Sequence, residues 1–332
     1  MKTGLILNNI GTPKSFDPKD VKVYLDEFLM DPDVIGLPFL LRWLLVKGLI
    51  TPKRSFSSAE KYKAVWMKEG SPLMVHSQAF AEGVRKTLGD SWIVRLGMRY
   101  GQPSLRNSLE DMRKAGVDRV VLAPLFPQFA EATTGSALKE TRRLLSDMKW
   151  SVPLVLLPEF HKDSGYLETQ GQLIEHFSKD ADHLLFSFHG LPESQVCRNE
   201  GCLDEVRAEG PSPNCRPDCY RAQCLTTAFD LAKGLGLDRS DWSYSFQSRL
   251  GPAKWIGPAT DDVLKSLGAR KIGKLAVACP AFVADCLETL EEIGLGGEED
   301  FLKAGGSSYQ LIPCLNAEPG WVREFCRLVG QV

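Results

Sequence analysis

His189 closes the apolar run LLFSFH and is followed at once by Gly-Leu-Pro. A strand cannot continue through that tripeptide, so the imidazole falls at a strand's carboxyl end, the edge where open α/β sheets hold their chemistry. Neutral imidazole in such a place can accept a proton or ligate a metal near pH 7; the alternative is a core or loop histidine with one satisfied hydrogen bond. A second strand end occurs in KLAVACPAFVADCLETLEEIG, from Lys274 to Gly294, where the run stops near Cys279 and Pro280. Asp285 then reads as the cap of a helix with the apolar stripe Leu287, Leu290 and Ile293, which puts Glu288 in its first turn. An imidazole and a carboxylate at two strand ends of one domain form a proton-handling pair, although Glu288 alone also fits a solvated acid at a helix amino end.

The elements that must position these groups alternate almost throughout. Strands are expected at Gly4 to Asn8, Ile93 to Met98, Arg119 to Ala123, Leu154 to Leu157, His183 to Phe188, Ser243 to Phe246, Lys274 to Ala278 and Tyr309 to Ile312. Helical patterns between them include Pro18 to Met30, Ala59 to Trp66, Ser104 to Ala115, Ser136 to Met148, Ser164 to Phe177, Tyr220 to Leu235, Thr260 to Leu267 and Asp285 to Ile293. Strands separated by helices imply crossover connections and mainly parallel sheets covered on both faces. Eight such strands make one barrel or two four-stranded open sheets, and the fresh series after Pro158 favours two sheets, in α/β domains 1–158 and 159–317. The final helix, Pro319 to Val329 within 318–332, is a candidate to pack back on the first of them. No period of 20 to 50 residues repeats.

At 332 residues and 36.8 kDa, the chain exceeds what one hydrophobic core usually supports. A net charge of -2 without a basic stripe argues against a nucleic-acid surface. The start, MKTGLILNNIGTP, lacks a long apolar region and a small-residue cleavage site, so a cytoplasmic protein is expected. Val34 to Ile50 is the most apolar stretch, but Gly36, Pro38, Arg42 and Lys47 interrupt it below what a bilayer span needs. It reads either as a helix packed on its own core or as an amphipathic lip touching a membrane, peripherally at the inner membrane, or a flat apolar ligand. Neither GxxxxGK[ST] nor a GxGxxG after a strand occurs, so nucleotide binding lacks its usual phosphate cradle.

Nine cysteines in a cytosolic chain are thiols or metal ligands rather than disulfides. Five of them, Cys197, Cys202, Cys215, Cys219 and Cys224, crowd the segment 195–224, which reads as an insertion held by something other than apolar packing. Four thiolates can hold a zinc ion or a [2Fe-2S] cluster.

Eight blocks, in order, resemble ferrochelatase, the family that inserts ferrous iron into a porphyrin. They are Leu7 to Pro13, YLDEFLMDP (Tyr24 to Pro32), EGSPL (Glu69 to Leu73), GMRYGQPS (Gly97 to Ser104), FPQFAEATTGSA (Phe126 to Ala137), FSFHGLPES (Phe186 to Ser194), FQSRLGPAKWIGPATDD (Phe246 to Asp262) and CPAFVADCLETLEE (Cys279 to Glu292). The resemblance implies two similar Rossmann-like domains with the porphyrin cleft between them. It implies that His189 is the active-site histidine and Glu288 its acidic partner, together handling the Fe2+ substrate and the two pyrrole protons that metallation must remove. Asn9, Ile10, Gly11, Thr12 and Pro13 match a loop that lines the macrocycle, and Arg99 and Tyr100 match the active-site RY pair. Lys53, Arg54, Tyr62 and Ser71 are candidate partners for porphyrin carboxylates, against ordinary surface charge as the alternative. Trp255 either closes over the ring or anchors its loop. Some members carry a histidine where this chain has Cys286, which weakens any relay through a second histidine; a packing role is expected for that thiol.

Ferrochelatases of several lineages hold a [2Fe-2S] cluster, often through a C-terminal extension that this chain lacks, with Glu131 where one such ligand would fall. The internal cysteines resemble the subgroup that builds the cluster locally, so the cluster is preferred to zinc, with four of the five as ligands. The expected reaction forms protohaem from protoporphyrin IX and Fe2+. Its rivals are coproporphyrin or another tetrapyrrole as substrate, a non-catalytic porphyrin carrier, and an iron-sulfur redox sensor on a chelatase scaffold. A carrier has no use for a proton relay, which favours the enzyme. Oligomeric state is not legible in the residues.

Overall fold

The apolar runs expected as strands all form strands, with ends shifted by four residues at most. The computed structural model describes residues 2–196, 202–203, 210–212, 215–249, 251 and 253–332. Contacts divide the chain into two units, one of Met1–Leu125, Glu131–Pro158 and Asn316–Val332, the other of Phe126–Ala130 and Glu159–Leu315.

The first unit carries β1 (Thr3–Thr12), β2 (Trp92–Gly101), β3 (Arg119–Pro124) and β4 (Leu154–Leu156) in the order β2-β1-β3-β4, every pair parallel. The second carries β5 (His183–His189), β6 (Trp242–Gln247), β7 (Lys274–Ala278) and β8 (Ser308–Leu311) in the order β6-β5-β7-β8, again all parallel. The two sheets therefore share one topology, which no sequence period betrayed. In each, the first strand is central and the order reverses beside it, the switch point where α/β sheets open a crevice at the strand ends. Leu5, Ile6 and Leu7 of β1 and Leu185, Phe186 and Phe188 of β5 are fully buried, as strands covered by helices on both faces must be.

β1 outruns its expected end at Asn8 and stays paired with β2 as far as Thr12. Gly11 makes this feasible: its φ is +106°, and a Cβ there would lie 1.8 Å from the Tyr100 carbonyl oxygen. The helix expected from Ala59 begins earlier, at Thr51, and runs to Val65; the helix Pro72–Leu88 was not among the expected ones. Within the same unit the closing helix Pro319–Val329 lies on Pro72–Leu88, with Trp321 stacked on Phe80 at 5.9 Å and Phe325 edge-on to it at 5.0 Å.

Two expectations need correction. The apolar stretch at 34–50 is not a helix packed on its own core. In the segments Phe39–Trp43 and Leu44–Ile50 the buried side chains are Arg42 and Val46, while Phe39 and Leu40 are 66% and 65% exposed. Arg42 is turned inward because its guanidinium donates to the carbonyls of Ile35 (3.1 Å) and Leu37 (2.7 Å). The helix after Asp285 also differs: it is a π-helix over Glu288–Gly296, and Asp285 does not cap it. The buried Asp285 carboxylate instead accepts the Thr289 hydroxyl at 3.0 Å and the Cys314 amide at 3.3 Å, tying the loop after β7 to the chain after β8.

Candidate functional site

In the second unit, β5 delivers His189 between β6 and β7, half-buried and opposite Gln247 in the parallel register. The β5–β6 ladder closes on this pair. Gly190 N–H donates to the Gln247 carbonyl at 2.8 Å, and a Cβ on Gly190 would lie 2.7 Å from that same oxygen. The imidazole Nδ1 lies 2.6 Å from the Gly190 carbonyl oxygen. A carbonyl can only accept, so neutral His189 carries its proton on Nδ1 and leaves the Nε2 lone pair available. The His189 carbonyl in turn accepts the Tyr220 hydroxyl at 2.8 Å. The Phe282 ring, from the loop after β7, lies 6.3 Å from the imidazole between centroids.

Glu288 opens the π-helix, and the Gln247 side-chain amide donates to its backbone carbonyl at 3.1 Å, so the end of β6 grips the start of that helix. The Gln247 side-chain oxygen Oε1 accepts the Ser187 hydroxyl at 3.0 Å, which fixes the amide's orientation. One further acid, Glu292, lies four residues on. Ser248, in left-handed backbone at φ +66°, donates to it through both N–H (2.7 Å) and hydroxyl (2.6 Å). Burial pushes the Glu292 carboxyl up against the pull of Ser248 and of the His189 charge, and the Glu288 charge adds to the rise. His189, Glu288 and Glu292 therefore share one electrostatic neighbourhood. Glu292 escaped the reading of single residues, although its spacing from Glu288 was a usable signal: residues four apart share a helix face. A run of π-helix, rare and concentrated at functional sites, could not be read from an ordinary amphipathic pattern.

Trp255 belongs to the same unit and anchors its loop beside the histidine. It bridges Pro192, its neighbour Ile256 donates to the Leu191 carbonyl at 3.0 Å, and its ring would meet a Cβ on Gly190 at 3.2 Å. Cys286 is buried, and burial, with the Glu288 charge and a hydrogen bond to Glu288, pushes its thiol up.

In the first unit, Asn9, Ile10 and Gly11 end β1, and the Asn9 side chain accepts the Ile10 amide at 2.8 Å. Arg99 and Tyr100 end β2, but both are turned onto Asp31, a residue to which the motif reading assigned no role. The Tyr100 and Ser136 hydroxyls each donate to Asp31 at 2.7 Å, Arg99 contacts the same carboxylate, and Arg99 Nε donates to Ser136 at 2.7 Å. Burial alone would raise the Asp31 pKa, but the bonds from Ser136, the Asp33 amide and Tyr100, with the Arg99 charge, hold it below the ordinary carboxylate value. Tyr62 is buried against Trp66, and Ser71 is buried as the cap of Pro72–Leu88, accepting the Met74 amide at 3.3 Å. Lys53 and Arg54 are exposed on Thr51–Val65.

Cys202, Cys215 and Cys219 converge in the second unit. Their sulfurs all lie within 4.8 Å of one another, at 2.6 Å for Cys202 and Cys215 and 3.5 Å for Cys202 and Cys219. Among the described residues this is the one such convergence of candidate ligands. Cys224 lies apart from it in the apolar core, and Cys197 falls outside the described residues. Three converging thiols at the amino end of the helix Tyr220–Gly234, whose dipole favours the negative charge of thiolates, fit a thiophilic metal or an iron-sulfur cluster.

A family model described as ferrochelatase matches residues 2–331. Among curated proteins, the ferrochelatase of Bdellovibrio bacteriovorus is 49% identical over 333 residues, covering 100% of this chain and 99% of its own. Those of Pseudomonas aeruginosa and Legionella pneumophila are 45% and 40% identical, each covering 100% of this chain and 98% and 99% of their own. Among solved structures, SirB from Bacillus subtilis with Fe3+ aligns over 100% of this chain and 95% of its own, with a TM-score of 0.55 at 12% identity, a likeness of fold.

Proposed function

Because this chain belongs to the ferrochelatase family, we propose that it inserts Fe2+ into protoporphyrin IX to form protohaem, with His189 and Glu288 as the groups that handle metal and protons. The reaction replaces two pyrrole protons by one divalent cation, so it needs a base for N–H and an oxygen donor that can take an aquated metal in exchange for water. The observation that carries the assignment is the Nδ1 contact to the Gly190 carbonyl, which commits the Nε2 of His189 to accepting. Glu288 is the complementary carboxylate, and Glu292, held by two donors from Ser248, is the next acceptor along the same helix. Asn9, Ile10, Gly11, Arg99, Tyr100 and Trp255 bear on the porphyrin, the RY pair through the shape that Asp31 imposes. Lys53 and Arg54 are the exposed cations on offer to its carboxylates.

The cysteines Cys202, Cys215 and Cys219 would hold a [2Fe-2S] cluster, with Cys197 as the fourth ligand, or a zinc ion in its place. When bound, such a cluster supplies one-electron redox capacity and cross-links the segment. The exposed apolar row at Phe39, Leu40, Leu41, Trp43 and Leu44 supports peripheral membrane contact, and among the described residues no helix is long and apolar enough to cross a bilayer.

The deciding assay is anaerobic incubation with Fe2+ and protoporphyrin IX, followed by the haem spectrum. Wild type should metallate, and His189→Ala should lose about 100-fold or more in kcat. Equal rates would overturn the assignment of His189.

A further inference from the structure

A short chain of contacts runs from the thiol centre to His189. Cys219 is the residue before the helix Tyr220–Gly234, and its side chain makes no capping hydrogen bond. The first residue of that helix, Tyr220, is buried in the core beside Phe188 and donates its hydroxyl to the His189 carbonyl at 2.8 Å. The next residue, Arg221, donates to the Cys202 carbonyl at 2.7 Å, so one helical turn grips two of the three cysteines and the active strand's end. The peptide between residues 189 and 190 is held on both sides, its carbonyl by Tyr220 and its N–H by the Gln247 carbonyl at 2.8 Å. Being planar, that peptide turns as one body. It carries the Gly190 Cα, to which the next peptide is attached, and the carbonyl of that next peptide holds Nδ1 of the imidazole.

We propose that Tyr220 is the positioning residue through which the thiol centre sets the 189–190 peptide, and with it the His189 imidazole. Filling the centre resets the spacing of the three sulfurs, because thiolates on one tetrahedral metal at about 2.3 Å stand about 3.8 Å apart, farther than the 2.6 Å and 3.5 Å that now separate Cys202 from Cys215 and Cys219. Cys219 shifts with it, and so do the start of the helix and the Tyr220 hydroxyl. A phenol suits the task because its ring is held in the core while its hydroxyl reaches the carbonyl at 2.8 Å. The proposal rests on the catalytic reading of His189. Turnover tests that reading, whereas the experiment below reads the peptide without turnover, so the two fail separately.

His189–Gly190 is the one His-Gly pair in the sequence. Protein labelled with carbonyl-13C histidine and 15N glycine therefore gives a single HNCO cross-peak, from the 189–190 peptide. With the full chain stripped by chelator and carrying Glu288→Ala in every sample, which removes the carboxylate that would take metal beside His189, one equivalent of Zn2+ should displace that cross-peak in the otherwise wild-type chain and leave it in place in Cys215→Ser. In Tyr220→Phe the cross-peak should start displaced and stay put on adding Zn2+; with Glu288 restored, kcat should be lowered roughly three- to tenfold and KM for porphyrin stay within about twofold. Should Tyr220→Phe not fold, 3-fluorotyrosine at position 220, a stronger donor of the same shape, should displace the cross-peak by itself. The proposal is overturned by a cross-peak that ignores Zn2+ in the otherwise wild-type chain, by one that responds equally in Tyr220→Phe, by one that still responds in Cys215→Ser, or by one unmoved by the fluorinated residue.

Discussion

Replacing Asp31 by asparagine keeps the side chain's shape and removes its charge. In the folded chain that carboxylate is 2% exposed and faces Arg99, whose side chain is 18% exposed, together with the Tyr100 and Ser136 hydroxyls. Removing one member of a buried ion pair costs about 3–5 kcal/mol, because the remaining charge keeps its desolvation and loses its partner. For a unit of 170 residues, the size of the one that holds Asp31, each kcal/mol moves the thermal midpoint by roughly 2–4 °C, so Asp31→Asn should melt at least about 6 °C lower. Ser136→Ala, which removes one hydroxyl donor to a charged acceptor, should cost about 1.5–3 kcal/mol. The sign with pH follows from the lowered Asp31 pKa. The contribution is complete above the unfolded carboxyl value of about 3.9 and is lost as pH falls through the lower folded value, so the gap between wild type and Asp31→Asn should close in that acid range. Calorimetric scans at pH 7 and pH 3 measure both effects. An Asp31→Asn midpoint no lower than that of Ser136→Ala at pH 7 would refute the reasoning. So would an Arg99→Ala variant that raises KM for porphyrin with an unchanged midpoint.

Gly11→Ala places a methyl 1.8 Å from the Tyr100 carbonyl at a φ of +106°, so it should unzip the end of β1 from β2 and cost more than about 2 kcal/mol, read by denaturant titration. Burial pushes the thiols of Cys279, Cys286 and Cys314 up, so at pH 7.5 they should resist iodoacetamide in the native protein and react in urea, as peptide mass spectrometry would show. Leu40→Asp with Leu41→Asp should abolish flotation with anionic vesicles while changing stability by less than about 1 kcal/mol; a large drop in midpoint would mean that the row packs within the protein.

Local pattern by itself determined the strands, and with them the place of His189, because a buried parallel strand is an apolar run and Gly-Leu-Pro must end it. The ordered motif blocks determined the family. The crowding of cysteines in 195–224 was equally plain, but which of them meet was not: Cys202, Cys215 and Cys219 converge whereas Cys224 is drawn into the core by the apolar face of its helix. Tertiary structure alone decided that Arg99 serves Asp31, 68 residues away, and that Tyr220 holds the His189 carbonyl from 31 residues on. It also decided that Arg42 points inward while Phe39 and Leu40 face out. These outcomes share one physical cause. Periodicity reports which face of an element is apolar, whereas a buried charge or hydroxyl goes wherever the folded chain offers a partner, and that partner is set by sheet order and crossover rather than by neighbours in sequence.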